Sequence, residues 1–303
     1  MESRKIQTVG GGTYTVSLPK TWAEAQDLDA GSTVDLHTHV DGVLVVQARE
    51  PDDATDPVCV TVAEETPDTL EQTLRAAYAA GVSAIRFETT DGFANRQRQR
   101  IEAVARNMTG VTVAEESATQ VTVQTMLDPG EVSISQSVRQ LSFVALSMHR
   151  DAMGQLSNGG DTDLADRDDQ ADRLTAMVDR HFGRAIDRLD EVDALGQRRP
   201  ELFELWTTAR ELERVADHAE QIATAAAAVE QPDSALVGLL TDLGADARGV
   251  VEDAVQVRID GAGVETAREA LQARDRVREQ ATAIERDHFE TGATDYRLVR
   301  VLD

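Results

Sequence analysis

Glu213 and Asp217 stand four residues apart in a stretch whose apolar residues recur at helical spacing, so both carboxylates project from one stripe of a helix. Asp168 and Asp172 repeat that spacing on the segment before it. If the two helices pack antiparallel, four carboxylates meet along one groove. Such an oxygen-rich surface suits a hard divalent cation or iron. A plainer reading stands beside it and needs nothing more: acid pairs at i and i+4 are commonplace in an acidic chain, and Arg210 and Arg214 lie within reach of Glu213 and Asp217.

A third pair comes from an internal repeat. Leu271-Gln-Ala-Arg-Asp275-Arg-Val-Arg-Glu279 can be laid over Leu164 to Asp172, which sets Asp275 and Glu279 on Asp168 and Asp172. Glu replaces the final Asp, so this is the weaker half-site. His218 adjoins Asp217, but neighbours on a helix diverge by about 100°, which turns it toward another surface. His149, His181 and His288 stand singly on helices, where packing or solvent contact is the usual role, and His37 and His39 share a strand face without a third ligand. There is no nucleophile elbow, phosphate loop or dinucleotide fingerprint, and Gly10-Gly-Gly12 precedes a strand rather than a helix. No enzymatic activity is expected; a redox or hydrolytic metal centre in the groove is the catalytic alternative.

These groups need helices to hold them. After Asp128-Pro-Gly130 the pattern is wholly helical, with a helix opened by Glu131 or Ser133 and ended near Leu156 by Asn158-Gly-Gly160. Further helices fit 161–193, 198–230, 233–260 and 263–288. Leu205, Ala209, Leu212, Ala216, Ala219 and Ala223 form the seam of an antiparallel bundle beside the acids. The third helix of the second repeat looks cut short: Asp295 to Asp303 reads as a helix that only begins, from truncation or a degenerate last repeat.

Residues 57–128 carry a different pattern. Val58 to Val62 is a strand, Thr66-Pro67 a helix start, and Leu70, Leu74, Ala77 and Tyr78 one apolar face closed by Gly81. Strand 82–88, helix 94–108 and strands 111–116 and 119–127 follow. The βαβαββ order predicts a small α/β sandwich that either senses a ligand or joins two modules, and its lack of catalytic spacing favours joining.

Residues 1–50 read as strands and turns around one short helix after Pro19, with a hairpin turning at Asp41-Gly42. So small a unit with few apolar side chains can hardly bury a core alone, which predicts a homodimer. A linker over 50–57 separates it from the rest.

The chain has 303 residues and a net charge of −25, and Lys5 and Lys20 are its only lysines. That pattern points to a salt-loving organism, where an acidic surface keeps a protein dispersed under strong screening. Cys59 is the only cysteine, excluding an intramolecular disulfide, and fits an inert strand position. No apolar run reaches the roughly 20 residues of a membrane span, and the start has no secretory signal, so a cytoplasmic protein without membrane insertion is expected.

Two resemblances add to this. The order strand, glycine turn, Ser17-Leu-Pro-Lys20, short helix, Ala30-Gly31 and hairpin resembles the AbrB-like swapped-hairpin domain. The resemblance implies a dimer that binds DNA, with Arg4, Lys5 and Lys20 at the phosphate contacts. Because Glu24, Asp27, Asp29, Asp35 and Asp41 make the segment acidic, a purely dimerising role stays open beside it.

Leu212-Glu-Arg-Val-Ala-Asp-His-Ala-Glu-Gln-Ile-Ala223 resembles the signature helix of PhoU-like proteins, and Asp168-Asp-Gln-Ala-Asp172 fits the family's first motif. This implies an α+β chain whose C-terminal part is all-α: a PhoU-like three-helix repeat over 131–230 and a second, incomplete one over 233–303. It also implies metal at Asp168, Asp172, Glu213, Asp217, Asp275 and Glu279, and a regulator of phosphate uptake. Its partners would be a phosphate-import ABC transporter or a signalling protein, with DNA through the N-terminal domain. A structural adaptor that never touches DNA is the alternative.

Overall fold

Glycine punctuation and a hairpin pattern at the N-terminus, then helical periodicity toward the C-terminus, dictate an α+β chain, and the computed structural model has that class. It describes residues 3–40, 42–48, 57–63, 65–159, 163–229 and 233–291. The chain divides into two compact units, residues 1–54 and 55–303.

In the first unit, β1 (Gln7–Val9) and β2 (Thr13–Thr15) pair antiparallel across Gly10, whose φ of +65° suits a residue without a Cβ. Helix α1 (Lys20–Ala25) follows Pro19. Strands β3 (Val34–Thr38) and β4 (Leu44–Ala48) pair from Val34↔Ala48 to Thr38↔Leu44, with Gly42 at φ +81° in the turn. Asp41 of that turn and residues 50–56 of the expected linker lie outside the described residues. None of the described residues of this unit is buried. Ile6, Val9, Tyr14, Leu36, Val40 and Leu44 each expose more than half of their surface.

The second unit begins with β5 (Val58–Thr61), α2 (Pro67–Ala79), β6 (Ala84–Glu88), α3 (Asn95–Asn107), β7 (Val111–Glu116) and β8 (Gln120–Thr125), the expected βαβαββ order. The sheet runs β5-β6-β8-β7, the first pair parallel and the other two antiparallel. Thr66 opens α2 by accepting the Thr69 N–H at 3.2 Å, with Pro67 pre-set for the first turn. Leu70, Leu74 and Tyr78 of α2 and Ile101 and Val104 of α3 close a core against Ile85, Phe87, Val121 and Val123 of the sheet. Cys59 sits exposed on β5.

Six helices follow: α4 (Ile134–Asn158), α5 (Ala165–Asp187), α6 (Leu189–Leu195), α7 (Arg199–Ala227), α8 (Ser234–Ile259) and α9 (Val264–Thr291). Ser133 caps α4 by accepting the Gln136 N–H at 3.3 Å, and Gly159 ends it at φ +64°. Helix α4 packs along α5, α7 and α8, α5 packs on α7, and α9 lies along α8. The expected seam of α7 is buried from Leu205 through Ala219.

One expectation is corrected. The single helix over 161–193 is two, because Arg188 adopts an extended conformation, φ −117° and ψ 121°, between α5 and α6. The break turns Glu191 back onto α5, where buried His181 and Arg184 bind it, a contact that one continuous helix could not make. Residues 160–162 and 295–303, parts of other expected helix ends, lie outside the described residues.

The α/β layer is held to the bundle by α5. Arg180 donates to the carbonyls of Tyr78 at 3.1 Å and Val82 at 2.8 Å, and its guanidinium lies 5.1 Å from the centre of the Tyr78 ring. Arg184 adds a bond to the Gly81 carbonyl at 3.2 Å. Carbonyls left over at the end of α2 thus find charged donors, which strengthens each bond.

Candidate functional site

Helices α5 and α7 run antiparallel: Asp179 of α5 accepts the indole N–H of Trp206 at 2.6 Å, and Phe182 stacks on Trp206 at 4.4 Å between centroids. That register brings the N-terminal half of α5 beside the C-terminal half of α7. Asp168, Asp172, Glu213 and Asp217 therefore face one another along a groove, as the spacing predicts. Glu220 and Asp179, which the sequence reading passed over, join them at the two ends.

The groove is electrostatically unbalanced. Burial, then repulsion from Glu220, Asp172, Asp217 and Asp169, pushes Asp168 up to about 6. Burial raises Asp172 as well, against the opposing pull of Arg75, and burial followed by Asp217 and Asp172 raises Glu213. The arginines offered by the plainer reading do not cancel this. Arg214 pairs with Glu211 at 3.3 Å, and Arg210 lies over the Trp206 ring at 5.3 Å from its centre. Arg75 of α2 reaches Asp172 at 3.8 Å, a half-exposed contact worth little. Arg75, Tyr78, Thr109, Asp172, Thr175 and Glu213 line a cleft of about 290 Å³ where the α/β layer meets the groove.

An all-oxygen, mutually repelling donor set fits a hard cation in its chemistry. It is not a preassembled shell, since among the described residues no three His, Cys, Asp or Glu side chains converge as ligands of one ion. The half-exposed carboxylates of Asp168, Asp172 and Glu213 and the exposed one of Asp217 would have to rotate inward to hold one.

The other expected residues are scattered. Asp275 and Glu279 are exposed on α9, where Asp275 accepts two bonds from neighbouring Arg274, at 3.0 and 2.7 Å. Arg4, Lys5 and Lys20 are exposed in the first unit, and Lys20 pairs with Glu24 at 3.3 Å. His218, exposed on α7, is close enough to His149 of α4 to help disfavour a proton there. His181 departs from a simple packing role, sitting 2.6 Å from Glu191 in the buried network; the side chain of His288 lies outside the described residues. The only sequence signal for that network was an acid, Glu191, ten residues after a histidine, and an unbroken helix would have kept them apart.

Residues 138–226 match the family model of the PhoU domain, and residues 7–53 match that of MazE, described as antidote-toxin recognition, bacterial antitoxin. The first match encloses Asp168, Asp172, Glu213 and Asp217 but stops short of Asp275 and Glu279; the second encloses Lys20 but neither Arg4 nor Lys5. No curated protein and no solved structure matches the chain. Among the described residues no helix is long and apolar enough to cross a membrane.

Proposed function

We propose that this chain, carrying PhoU-like and MazE/AbrB-like segments, is a cytoplasmic regulator of phosphate uptake that acts on the expression or activity of a phosphate transporter. The observation that carries this reading is the coincidence of the PhoU match with the four-carboxylate groove of α5 and α7. Both matched families are regulatory rather than catalytic, which supports a non-enzymatic role.

In this reading Asp168, Asp172, Glu213 and Asp217 hold a divalent metal or iron, whose charge relieves the repulsion among them. Asp275 and Glu279 form the weaker second half-site. The first unit dimerises, because an assembly is the way for a unit with no buried residue among those described to cover its apolar side chains. DNA would be bound by that dimer through Arg4, Lys5 and Lys20, and a phosphate-import ABC transporter or a signalling protein is the partner of the bundle. Titrating fluorescent transporter-promoter DNA with the intact chain and with Lys5→Ala/Lys20→Ala tests the DNA arm, with binding lost in the variant as the expected result.

A second reading has its own support. Lys20 is already engaged by Glu24, the unit is acidic, and phosphate contacts weaken steeply in salt. The matched MazE family is moreover described by recognition of a protein. The chain would then be a dimeric adaptor binding protein partners alone, and no promoter binding by the intact chain together with retained partner binding would select it.

A further inference from the structure

In a chain with 55 acidic and 30 basic side chains, a place where cations gather is unexpected on charge alone. One such place spans α4, α7 and α8. Arg248 of α8 donates from Nη1 to His149 Nδ1 of α4 at 3.1 Å. A guanidinium can only donate, so His149 is neutral there, with its proton on Nε2. Arg150, the next residue on α4, acts on Arg248 as a like charge, and His218 of α7 is among the groups that disfavour a proton on His149. Among the described residues, the carboxylate that acts on Arg248 is Glu252, one turn along its own helix. Among the described residues neither Arg150 nor Arg248 has a carboxylate within 4.0 Å.

We propose that Arg248, Arg150 and His149, with His218 beside them, form a binding site for a tetrahedral oxyanion of the phosphate class. The bond to His149 fixes the guanidinium plane of Arg248, so the remaining donors are oriented before the ligand arrives, which lowers the entropy cost of binding. Arg150 supplies a second fork of donors and the Nε2–H of His149 a neutral one. The like charges repel each other until an anion sits between them, which gives binding an electrostatic driving force that an Arg–His packing contact lacks. His149 is held at about 4, by burial first and then by Arg248 and His218, so it remains a neutral donor throughout the physiological range.

The site stands on this cluster; the choice of phosphate among oxyanions rests on the regulatory reading above. Calorimetric titration of the full chain with inorganic phosphate, against a fixed chloride background, tests it. One phosphate per chain is expected, weakened about tenfold or more in Arg248→Gln and in the exposed Arg150→Gln, the size of one lost charge-assisted bond. Arg274→Gln on α9 serves as a control that leaves binding unchanged. No saturable binding, or equal binding by both arginine variants that keep the wild-type melting temperature, overturns the site. Equal binding of sulfate overturns the assignment to phosphate while leaving an oxyanion site. These outcomes are read in purified protein, so they are distinct from a failure of the regulatory reading, which would appear as transcripts indifferent to phosphate.

Discussion

His181 Nδ1 lies 2.6 Å from Glu191 Oε1, and both side chains are 1% exposed. Arg184 binds the other carboxylate oxygen at 2.8 Å while also holding the Gly81 carbonyl. Burial alone would raise Glu191, but the hydrogen bonds from His181 and Arg184 outweigh it and hold the carboxyl below its ordinary range. One anion thus ties α6, α5 and the loop after α2 together. Glu191→Ala leaves a buried histidine and a partly exposed arginine without their shared acceptor and should cost about 3 kcal/mol, the low end for a broken buried pair, read as a lower urea midpoint.

Gly81 is fitted to the same junction. Its φ is +84°, and a Cβ there would stand 2.6 Å from Arg184 Cγ. Gly81→Ala therefore strains the backbone and displaces the arginine at once, with an expected loss of about 2 kcal/mol. Thermal unfolding checks this, and Gly154→Ala, where the added methyl meets nothing within 4 Å, should be neutral or slightly stabilising.

Asp168 sets a pH dependence of opposite sign to the usual aspartate. Its folded value of about 6 is above the ordinary 3.8, so between those values the folded chain keeps a proton that the unfolded chain has released. Stability falls as pH rises through this window. Asp168→Asn removes the penalty and should stabilise the chain at pH 7 by about 1 kcal/mol, a shift of about two units discounted for solvent exposure. The gain should vanish near pH 4 in paired urea titrations. Millimolar divalent cation should shrink the gain at pH 7, since a bound ion relieves the same repulsion.

The elements around the groove were legible because each had a local signal: Ser133 and Thr66 at helix starts, Gly159 at a helix end, and the alanine seam of α7. The antiparallel meeting of Asp168 and Asp172 with Glu213 and Asp217 followed from one spacing repeated on successive helices. What was not legible depends on tertiary contact. Nothing around Arg188 marks a helix break, since neither proline nor glycine adjoins it, and the break is stabilised by Glu191 meeting partners on another turn. Arg248 and His149 meet across two helices 99 positions apart in sequence, beyond the reach of any periodicity.

The first unit should exist as an interlaced pair. Leu36 and Leu44 lie exposed on the paired strands β3 and β4, and changing both to aspartate should place unpaired charges inside the dimer contact. Light scattering should give twice the 32.9 kDa chain mass for the wild type and the single mass for the variant.

The central claim is control of phosphate uptake, and it is tested most directly by phosphate-transporter transcript levels in a strain lacking this chain, grown in high and low phosphate. The account predicts that loss of the chain derepresses the transporter in high phosphate and that the intact chain restores repression. Restoration by a chain lacking residues 1–50 would move control to the bundle. Transcript levels and phosphate uptake that respond identically to phosphate with and without the chain would contradict the account.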